Sequence, residues 1–581
     1  MTPFGFFIDP SKTKSREHQL QAIDAQIKSL EDSIRVLRLQ RNALAPVSSL
    51  PTEIIATIFS FLPNMLSAIS PSKKPDPLIW LRVSQVCHQW RDIALNQPVF
   101  WSHVDFTNIS SAGAAEILAR TKTVPLYLEG RCLGDHWDDA QLGAFQEELH
   151  FRVSRIHHLL ISDKPRPLRK TLEGLVSPAP ALESLSMSSE GKWSRVAVPE
   201  TLFGGTTPRL SNLELSNCDI SWKSSLLKGL KFLQIRSLSP NSTRPSLPVW
   251  LDALNEMQQL EALTLHSASP IAPPIIPVEV ERTVTLPSLA LLHISSSAKD
   301  CALVLAHLDL PALTRLCIEA IVHFPHGNDI QNLLPYVVRH AHGPQDIQPL
   351  QSALVLEKGK YRDILAWTTP DIDVDAHDPL TFLPSTLPTR VALSLTSEEN
   401  GWHIHRTRVE AICTVIAALP LDDLVTLIVK GSMLSLYFGD VSFHNSQKWH
   451  LLRRVRLTSN DVSQFLDWLR ADEGACENPL LPSLKELVLV DCILYKSRTL
   501  HLCDALMNRV EQGVPLEMLD LRTCFLDSDH PAAVRILSEI VVDVLGPEES
   551  VDAKSQIMST WHALTCGPFE GHENSDSDDE E

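Results

Sequence analysis

The sequence is poor in several residue types for a chain of its length. The 581 residues include only 21 glycines and 11 cysteines, and acidic residues outnumber basic ones to give a formal net charge of -19. Scarce glycine disfavours the glycine-rich loops that bind phosphate groups. The acidic balance disfavours nucleic acid as the main partner, because binding to phosphate backbones depends on lysine and arginine. No apolar run reaches the roughly 18 residues of a transmembrane helix.

The cysteines are scattered from Cys87 to Cys566 and include no C-x-x-C pair. This pattern predicts neither a disulfide framework nor a zinc knuckle, and it favours a reducing compartment. The N-terminal apolar stretch is interrupted by Asp9 and Pro10, which is not typical of a signal peptide. We therefore expect the protein to be cytoplasmic, nuclear or both, with no membrane association.

An apolar stripe near the N-terminus has the period of about 3.5 residues that is typical of a coiled coil. Its a and d positions are Ile27, Leu30, Ile34 and Leu37. The pattern predicts a coiled-coil helix over 18–45, ended by Pro46, after a disordered segment over 1–17. Two alternatives stay open. The helix forms a homodimer, or its stripe packs on the next domain or on a partner.

Residues 47–106 combine short apolar helices with a linker rich in proline and serine. The residues of this pattern are Leu50, Pro51, Glu53, Ile58, Phe59, Leu62, Val86, Cys87, Trp90, Arg91, Pro98 and Trp101. In order and composition they resemble the F-box family, whose pattern begins with Leu-Pro and an acidic residue and closes with Pro-x-x-Trp. The chain departs from that pattern by an insertion rich in proline and lysine at 70–77.

This resemblance implies docking on a Skp-type adaptor and, through it, on a cullin. The residues that would bind the adaptor are Leu50, Pro51, Glu53, Ile54, Ile55, Ile58, Phe59, Leu62, Val86, Cys87 and Trp90. Short helices with such broad apolar faces are not stable alone and must bury them, at roughly 1.5 to 3 kcal/mol for each large aliphatic side chain. The alternative is therefore a small helical domain that packs its apolar face internally.

The unit L-x-x-L-x-L recurs between residues 150 and 526. Its clearer copies begin at Leu182, Leu210, Leu230, Leu260, Leu289, Leu313, Leu424, Leu452, Leu484 and Leu516. The position eight residues after the first leucine is Cys218, Asn460, Cys492 or Cys524 in four copies, where such a side chain can satisfy backbone groups at the turn after the strand. The pattern predicts a leucine-rich-repeat-like solenoid over 107–545 with a parallel sheet on its concave face.

The repeat pattern fades over 322–390, where two alternatives stay open: two long repeats or an insertion. The weak strand candidates there are AHGPQDIQPLQSALVL and LPTRVALSL. Residues 546–581 are predicted to form a C-terminal extension that ends in a disordered acidic tail over 570–581. The predicted fold class is mixed α and α/β: an N-terminal helix, a small all-α F-box module and an α/β solenoid.

The period of two in a strand places the residues between the repeat leucines on the concave face. Candidates for contact with a substrate are Glu214, Gln234, His293, Arg454, Arg456 and Asp520. Arg453 joins the last two arginines in a basic cluster suited to an acidic or phosphorylated peptide. The alternative, which we favour, is an ordinary solvated strand surface.

Catalytic motifs are missing from the sequence. It contains no phosphate-binding loop, dinucleotide fingerprint, nucleophile elbow or zinc-protease motif, so we predict a non-catalytic protein without a cofactor. The pairs His340 with His342 and His403 with His405 have no cysteine or carboxylate at a known ligand spacing. We therefore predict surface histidines and no metal site.

As a whole, the chain resembles fungal proteins of a basidiomycete-like type that place a coiled coil before an F-box and a degenerate leucine-rich array after it. These proteins also show a strand similar to PLYLEG, at 125–130 here. The resemblance implies a substrate-recognition subunit of an SCF-type ubiquitin ligase, acting on an unknown protein in ubiquitin-dependent degradation. The alternative is a protein-interaction scaffold without a ligase.

Overall fold

A computed structural model describes most of the chain. The described residues are 10–69, 79–107, 109–191, 195–237, 244–270, 280, 282–322, 328–343, 348–358, 361–370, 389–396, 411–431, 449–459, 462–470, 481–526 and 530–546. The proline and lysine insertion, Asn460, the pair His403 and His405, and the acidic tail lie outside these residues.

The chain divides into two compact units. The first comprises Met1–Gly191 and Val196–Leu210, and the second comprises Lys192–Arg195 and Ser211–Glu581. The first unit therefore contains both the helical module and the first strands of the predicted solenoid. Contacts join the two: the amide of Tyr127 donates to the carbonyl of Ser102, and Arg120 stacks over the Trp101 ring.

The first unit begins with helices. They are α1 (Pro10–Ala43), α2 (Thr52–Ile69) and α3 (His88–Asn96), with 3-10 turns at Pro46–Ser49, Ile79–Gln85 and Pro98–Trp101. Helix α1 starts before the predicted His18, at a proline, which is well suited to the first helical turn. It ends before Pro46, as predicted.

The apolar stripe of α1 is exposed to solvent. Its exposed members are Leu20, Ile23, Ile27, Leu30, Ile34 and Leu37. Packing of the stripe on the next domain is therefore not present among the described residues, and a homodimer or a separate partner remains as the prediction.

A set of aromatic side chains forms the core of the small helical module. Phe59 of α2 packs edge-on against Trp90 of α3, with ring centroids 5.2 Å apart, and lies 5.8 Å from the ring of Phe100. The indole of Trp101 donates a buried hydrogen bond of 2.8 Å to the carbonyl of Ala94. These contacts tie α2, α3 and the following 3-10 turn together.

The rest of the first unit alternates strands and helices. Its strands are β1 (His103–Asp105), β2 (Leu126–Arg131), β3 (Ile156–Asp163), β4 (Ser184–Ser189) and β5 (Val196–Ala197). Its helices are α4 (Ser111–Arg120), α5 (Leu133–His136), α6 (Asp139–Arg152) and α7 (Pro165–Gly174). The first four strands pair in parallel in chain order, and β2 contains the predicted strand that resembles PLYLEG.

The second unit continues the alternation. Its strands are β6 (Asn212–Ser216), β7 (Cys218–Asp219), β8 (Phe232–Arg236), β9 (Ala262–His266), β10 (Val284–Thr285), β11 (Leu291–Ser297), β12 (Leu308–Asp309), β13 (Arg315–Ile321), β14 (Ser352–Lys358), β15 (Tyr361–Trp367), β16 (Thr389–Thr396), β17 (Thr426–Lys430), β18 (Arg454–Thr458), β19 (Glu486–Val490), β20 (Ile493–Leu494), β21 (Met518–Asp520), β22 (Phe525–Leu526) and β23 (Asp543–Leu545). Helices lie at α8 (Leu247–Asn255), α9 (Ala298–Ala306), α10 (Asn328–His342), α11 (Ser463–Arg470), α12 (Lys496–Glu511) and α13 (His530–Ile540).

Most of these strands pair in parallel with the copy before and after them. The parallel ladder runs β6, β8, β9, β11, β13, and again β14, β17, β18, β19, β21, β23. Leucines of the repeat unit are buried between the sheet and the returning segments, as Leu263 and Leu487 illustrate. The predicted α/β fold class, with a parallel repeat sheet, is confirmed.

The region where the repeat fades is an insertion. Strand β16 pairs with β13, β15 pairs antiparallel with both β16 and β14, and β14 pairs with β17. Three strands therefore lie between β13 and β17, and the middle one, β15, runs antiparallel to its neighbours. The two weak strand candidates overlap most of β14 and β16, whereas β15 was not predicted.

Two details of the repeats concern individual side chains. Leu313 is 81% exposed, so it does not fill the first-leucine position of its copy; buried Thr314 lies there instead and donates to the Leu289 carbonyl at 2.7 Å. The predicted role of the turn cysteines is confirmed at Cys524, whose thiol donates to the Leu489 carbonyl at 3.1 Å, and at Cys492, which bonds to the Val490 carbonyl.

Candidate protein-interaction site

Helix α2 presents an apolar face to solvent. Ile54, Ile58 and Phe61 are 48%, 48% and 59% exposed, and they recur at the i, i+4, i+7 spacing of one helix face. Monomeric proteins rarely expose clustered large apolar side chains, and such clusters mark interaction sites. Phe61 was not in the predicted set, although its helical spacing from Ile54 and Ile58 was a signal that could have identified it.

The opposite face of α2 forms the core of its own module. Ile55 and Phe59 are only 1% and 2% exposed, so their side chains are not available to an adaptor. This differs from the predicted set, because the F-box pattern does not distinguish residues that support the surface from residues that form it. Cys87 has a comparable internal role, since its sulfur caps α3 by accepting the amide of Trp90 at 3.5 Å.

The remaining predicted adaptor contacts lie around the exposed face or are partly buried. Pro51, Glu53, Leu50 and Val86 are exposed, the last two to 37% and 60%. Leu62 and Trp90 are half-buried. The exposed apolar surface therefore consists of Ile54, Ile58 and Phe61 on α2, with exposed Leu50 two residues before the helix and Glu53 in its first turn.

A second candidate surface is a row of side chains on the strands of the second unit. Strand register places one residue of each strand in line: Glu214, Gln234, Thr264, His293, Cys317, Ala392, Leu365, Leu354, Ile428, Arg456, Val488 and Asp520. All the predicted substrate-face residues except Arg454 fall on this row. Arg454 lies two residues earlier on β18, on the same face.

Two arginines of the predicted basic cluster interact with carboxylates. The guanidinium of Arg454 donates to Glu486 at 2.5 Å across β18 and β19. Burial alone would raise the pKa of Asp520, but hydrogen bonds from Arg522 and the nearby charge of Arg456 give it a pKa below its usual range. This arrangement supports the alternative of a solvated strand surface more than a free receptor for a phosphorylated peptide.

The middle of the row is apolar and buried. Cys317, Leu354, Leu365, Ala392 and Ile428 join a core cluster that also includes Leu356 and Trp367. The inserted strands thus replace polar positions by apolar ones, which leaves the polar residues of the row in two stretches, one on each side of the insertion.

Two histidines and a carboxylate meet on the first polar stretch. The donor atoms of His266, His293 and Glu319 all lie within 4.8 Å of one another. Burial, followed by the neighbouring His293 and Arg236, lowers the pKa of His266 to about 4. Burial alone would raise the pKa of Glu319, but hydrogen bonds from His293 and Ser295 outweigh it and lower the pKa.

The sequence analysis predicted no metal site, and it did not single out His266. The three residues come from different repeats, so no short motif links them. The signal was that His266 and Glu319 occupy the same position of their L-x-x-L-x-L units, with His293 two residues earlier in the unit between them. The candidate pair His340 and His342 instead bonds to backbone carbonyls of Thr314 and Val338. His340 is half-buried rather than on the surface, and burial lowers its pKa.

Among the described helices, none is both long enough and apolar enough to cross a membrane. This agrees with the absence of long apolar runs in the sequence.

Comparison with known proteins identifies one segment. Residues 47–107 match the family model described as F-box-like, which confirms the predicted resemblance over that segment. A search of curated proteins found no significant match. Among solved structures, the chain is similar to an internalin from Listeria monocytogenes strain 4b F2365, at 13% identity, with 66% of this chain and 89% of that chain covered and a TM-score of 0.23. That TM-score is too low for the likeness to bear on function.

Proposed function

We propose that this protein is the substrate-recognition subunit of an SCF-type cullin RING ubiquitin ligase. The F-box-like segment would bind a Skp-type adaptor, and the repeat sheet would bind a protein target. Ubiquitin transfer belongs to other subunits in this proposal, and this chain supplies proximity, which raises the effective concentration of the target near the transferring enzyme.

The observation that carries the proposal is the exposed face of α2. A segment that matches an F-box-like model exposes Ile54, Ile58 and Phe61 on one side while it buries Phe59 on the other. Burying such side chains against a partner is favourable, because each buried methylene contributes about 0.8 kcal/mol. The face therefore supports a docking role more than a purely internal packing role.

The alternative is a scaffold that bridges proteins without a ligase. Its supporting observation is the exposed apolar stripe of α1, which offers a second interaction surface next to the F-box-like segment. The two hypotheses differ in whether α2 binds a Skp-type adaptor, so one binding measurement separates them.

The test uses the full-length chain and a purified Skp-type adaptor in isothermal titration calorimetry. Each Ile→Ala change deletes three carbon groups, worth about 2.4 kcal/mol when wholly transferred from water. Ile54 and Ile58 are each 48% exposed, so about half of that is available to an interface. The double variant Ile54→Ala with Ile58→Ala should lose roughly 2.4 kcal/mol, which is about 50-fold in affinity.

Ile536 on α13 supplies the matched control. It is 47% exposed and lies outside the F-box-like segment, so Ile536→Ala should leave adaptor affinity unchanged. If the unmodified chain does not bind the adaptor, the ligase proposal is refuted and the scaffold hypothesis is favoured. Equal affinity of the double variant and the control would also refute docking through this face.

A further inference from the structure

Three side chains with metal-binding chemistry converge on one face of the repeat sheet. His266 ends β9, His293 lies on β11 and Glu319 lies on β13, and these three strands are adjacent and parallel. Ser295 stands in register between His266 and Glu319, while His293 is two residues before it on the same strand. Because alternate residues of a strand share a face, all three donors project to the same side.

The distances suit a small coordination sphere. Nε2 of His293 and Oε1 of Glu319 are 3.3 Å apart. In a tetrahedral zinc site with bonds of about 2.05 Å, two donors are separated by about 3.3 Å. No two donor atoms of the trio are more than 4.8 Å apart, so the longest donor-to-donor distance must shorten by at most about 1.5 Å to reach this value. Rotation of the side chains on fixed strands can supply that change.

Hydrogen bonds hold the carboxylate of Glu319 in place. It contacts His293 across the two strands, and the hydroxyl of Ser295 also bonds to it. A hydrogen bond of this kind orients a ligating carboxylate and is typical of the outer shell of metal sites.

We propose that His266, His293 and Glu319 bind a zinc ion on the face of the repeat sheet, with water as the fourth ligand. Two imidazoles and one carboxylate with an open position form a donor set that zinc accepts. The side chain of Glu319 is 29% exposed, so the open position is reachable from solvent. The ion would neutralise the carboxylate and fix the spacing of three neighbouring repeats.

The charge balance around the trio is compatible with a cation. Arg236 of β8 is in register with His266, and its positive charge disfavours a cation at the trio. Its side chain is exposed, however, so water screens that charge. Without a metal, the contact between His293 and Glu319 is an ordinary hydrogen bond that leaves His266 stacked edge-on against His293 at 4.8 Å. That metal-free arrangement is the alternative outcome of the test.

The test is a zinc titration of the full-length chain, stripped of metal with a chelator, in competition with a chromophoric zinc indicator. We expect one equivalent of zinc to bind. His266→Ala and Glu319→Gln should each weaken binding by at least about 10-fold, since loss of even an outer-shell partner has an effect of this size. Circular dichroism of each variant shows whether the fold is retained.

His501 supplies the matched control. It contacts the carboxylate of Asp467 at 3.0 Å, like the pair of His293 and Glu319, but belongs to no trio of ligands among the described residues. His501→Ala should leave zinc affinity unchanged. Cobalt(II) used in place of zinc distinguishes binding at this site from binding by cysteines. A histidine and carboxylate site shows visible bands without a thiolate charge-transfer band. The proposal would be overturned if His266→Ala bound zinc as tightly as the wild type. It would also be overturned if cobalt(II) gave a thiolate band that persisted in both His266→Ala and Glu319→Gln.

Discussion

The two faces of α2 predict opposite consequences for the same substitution made two residues apart. Phe59 is 2% exposed and Phe61 is 59% exposed. Replacing Phe59 by alanine should destabilise the helical module, whereas replacing Phe61 should leave the module folded and weaken adaptor binding. The pair is matched in residue type, helix and deleted volume, so only burial differs.

The magnitude follows from the contacts of the two rings. Phe59 packs against Trp90 and Phe100, and removal of a wholly buried phenylalanine costs about 3 to 5 kcal/mol through lost transfer energy and the cavity left behind. Phe61 is 59% exposed and so buries somewhat less than half of its surface. Its truncation should therefore cost about 1 kcal/mol of stability at most.

Hydrogen exchange of the full-length chain, followed by mass spectrometry, measures this locally. In peptides covering 52–62 and 88–101, Phe59→Ala should speed exchange from about 100-fold to a few thousand-fold, because each 1.4 kcal/mol of opening free energy is tenfold. Phe61→Ala should change it less than about 10-fold. Similar exchange in the two variants would refute the assignment of an internal and an external face.

Two further predictions concern a buried arginine and the N-terminal helix. Arg509 of α12 is 1% exposed and donates to the carbonyls of Leu481 and Leu484, so Arg509→Met should lower local stability by about 1 to 3 kcal/mol. Hydrogen-exchange rates in peptides covering 481–490 should rise in Arg509→Met and stay unchanged in the control Arg535→Met, where the replaced side chain is exposed. Equal rates in the two variants would contradict the prediction. Light scattering tests the homodimer alternative for α1: if that dimer forms, Leu30→Lys with Leu37→Lys should halve the measured mass, whereas Ser29→Lys with Val36→Lys should not. A monomeric wild type would exclude this dimer.

The repeat architecture was predictable because its signal is local and repeated. The leucines of L-x-x-L-x-L are buried for the same reason in almost every copy, with Leu313 as an exception, so even a degenerate array shows the period. Cys492 and Cys524 could be assigned to turns in the same way. Leu313 was predicted wrongly because the turn of its copy lies one residue nearer the strand, which places Thr314 in the buried position, and the spacing of the leucines alone does not encode this displacement.

The F-box-like segment illustrates a different limit. Its pattern identified the residues of the module, but not which of them face outward. Ile55 and Phe59 give the same apolar signal in the sequence as Ile54 and Ile58. Only the position of α3 and its Trp90 decides which pair is buried. A helix with a broad apolar face has two sides that composition does not distinguish.

The sequence by itself determined the class of fold and the F-box-like segment, because hydrophobic spacing and short motifs act over a few neighbouring residues. Only the tertiary structure decided the strand order around the insertion, the exposed face of α2 and the meeting of His266, His293 and Glu319. Those features depend on which strands and helices become neighbours across more than 20 residues of intervening chain. Contacts of that range are set by packing of whole repeats, and no local pattern records them.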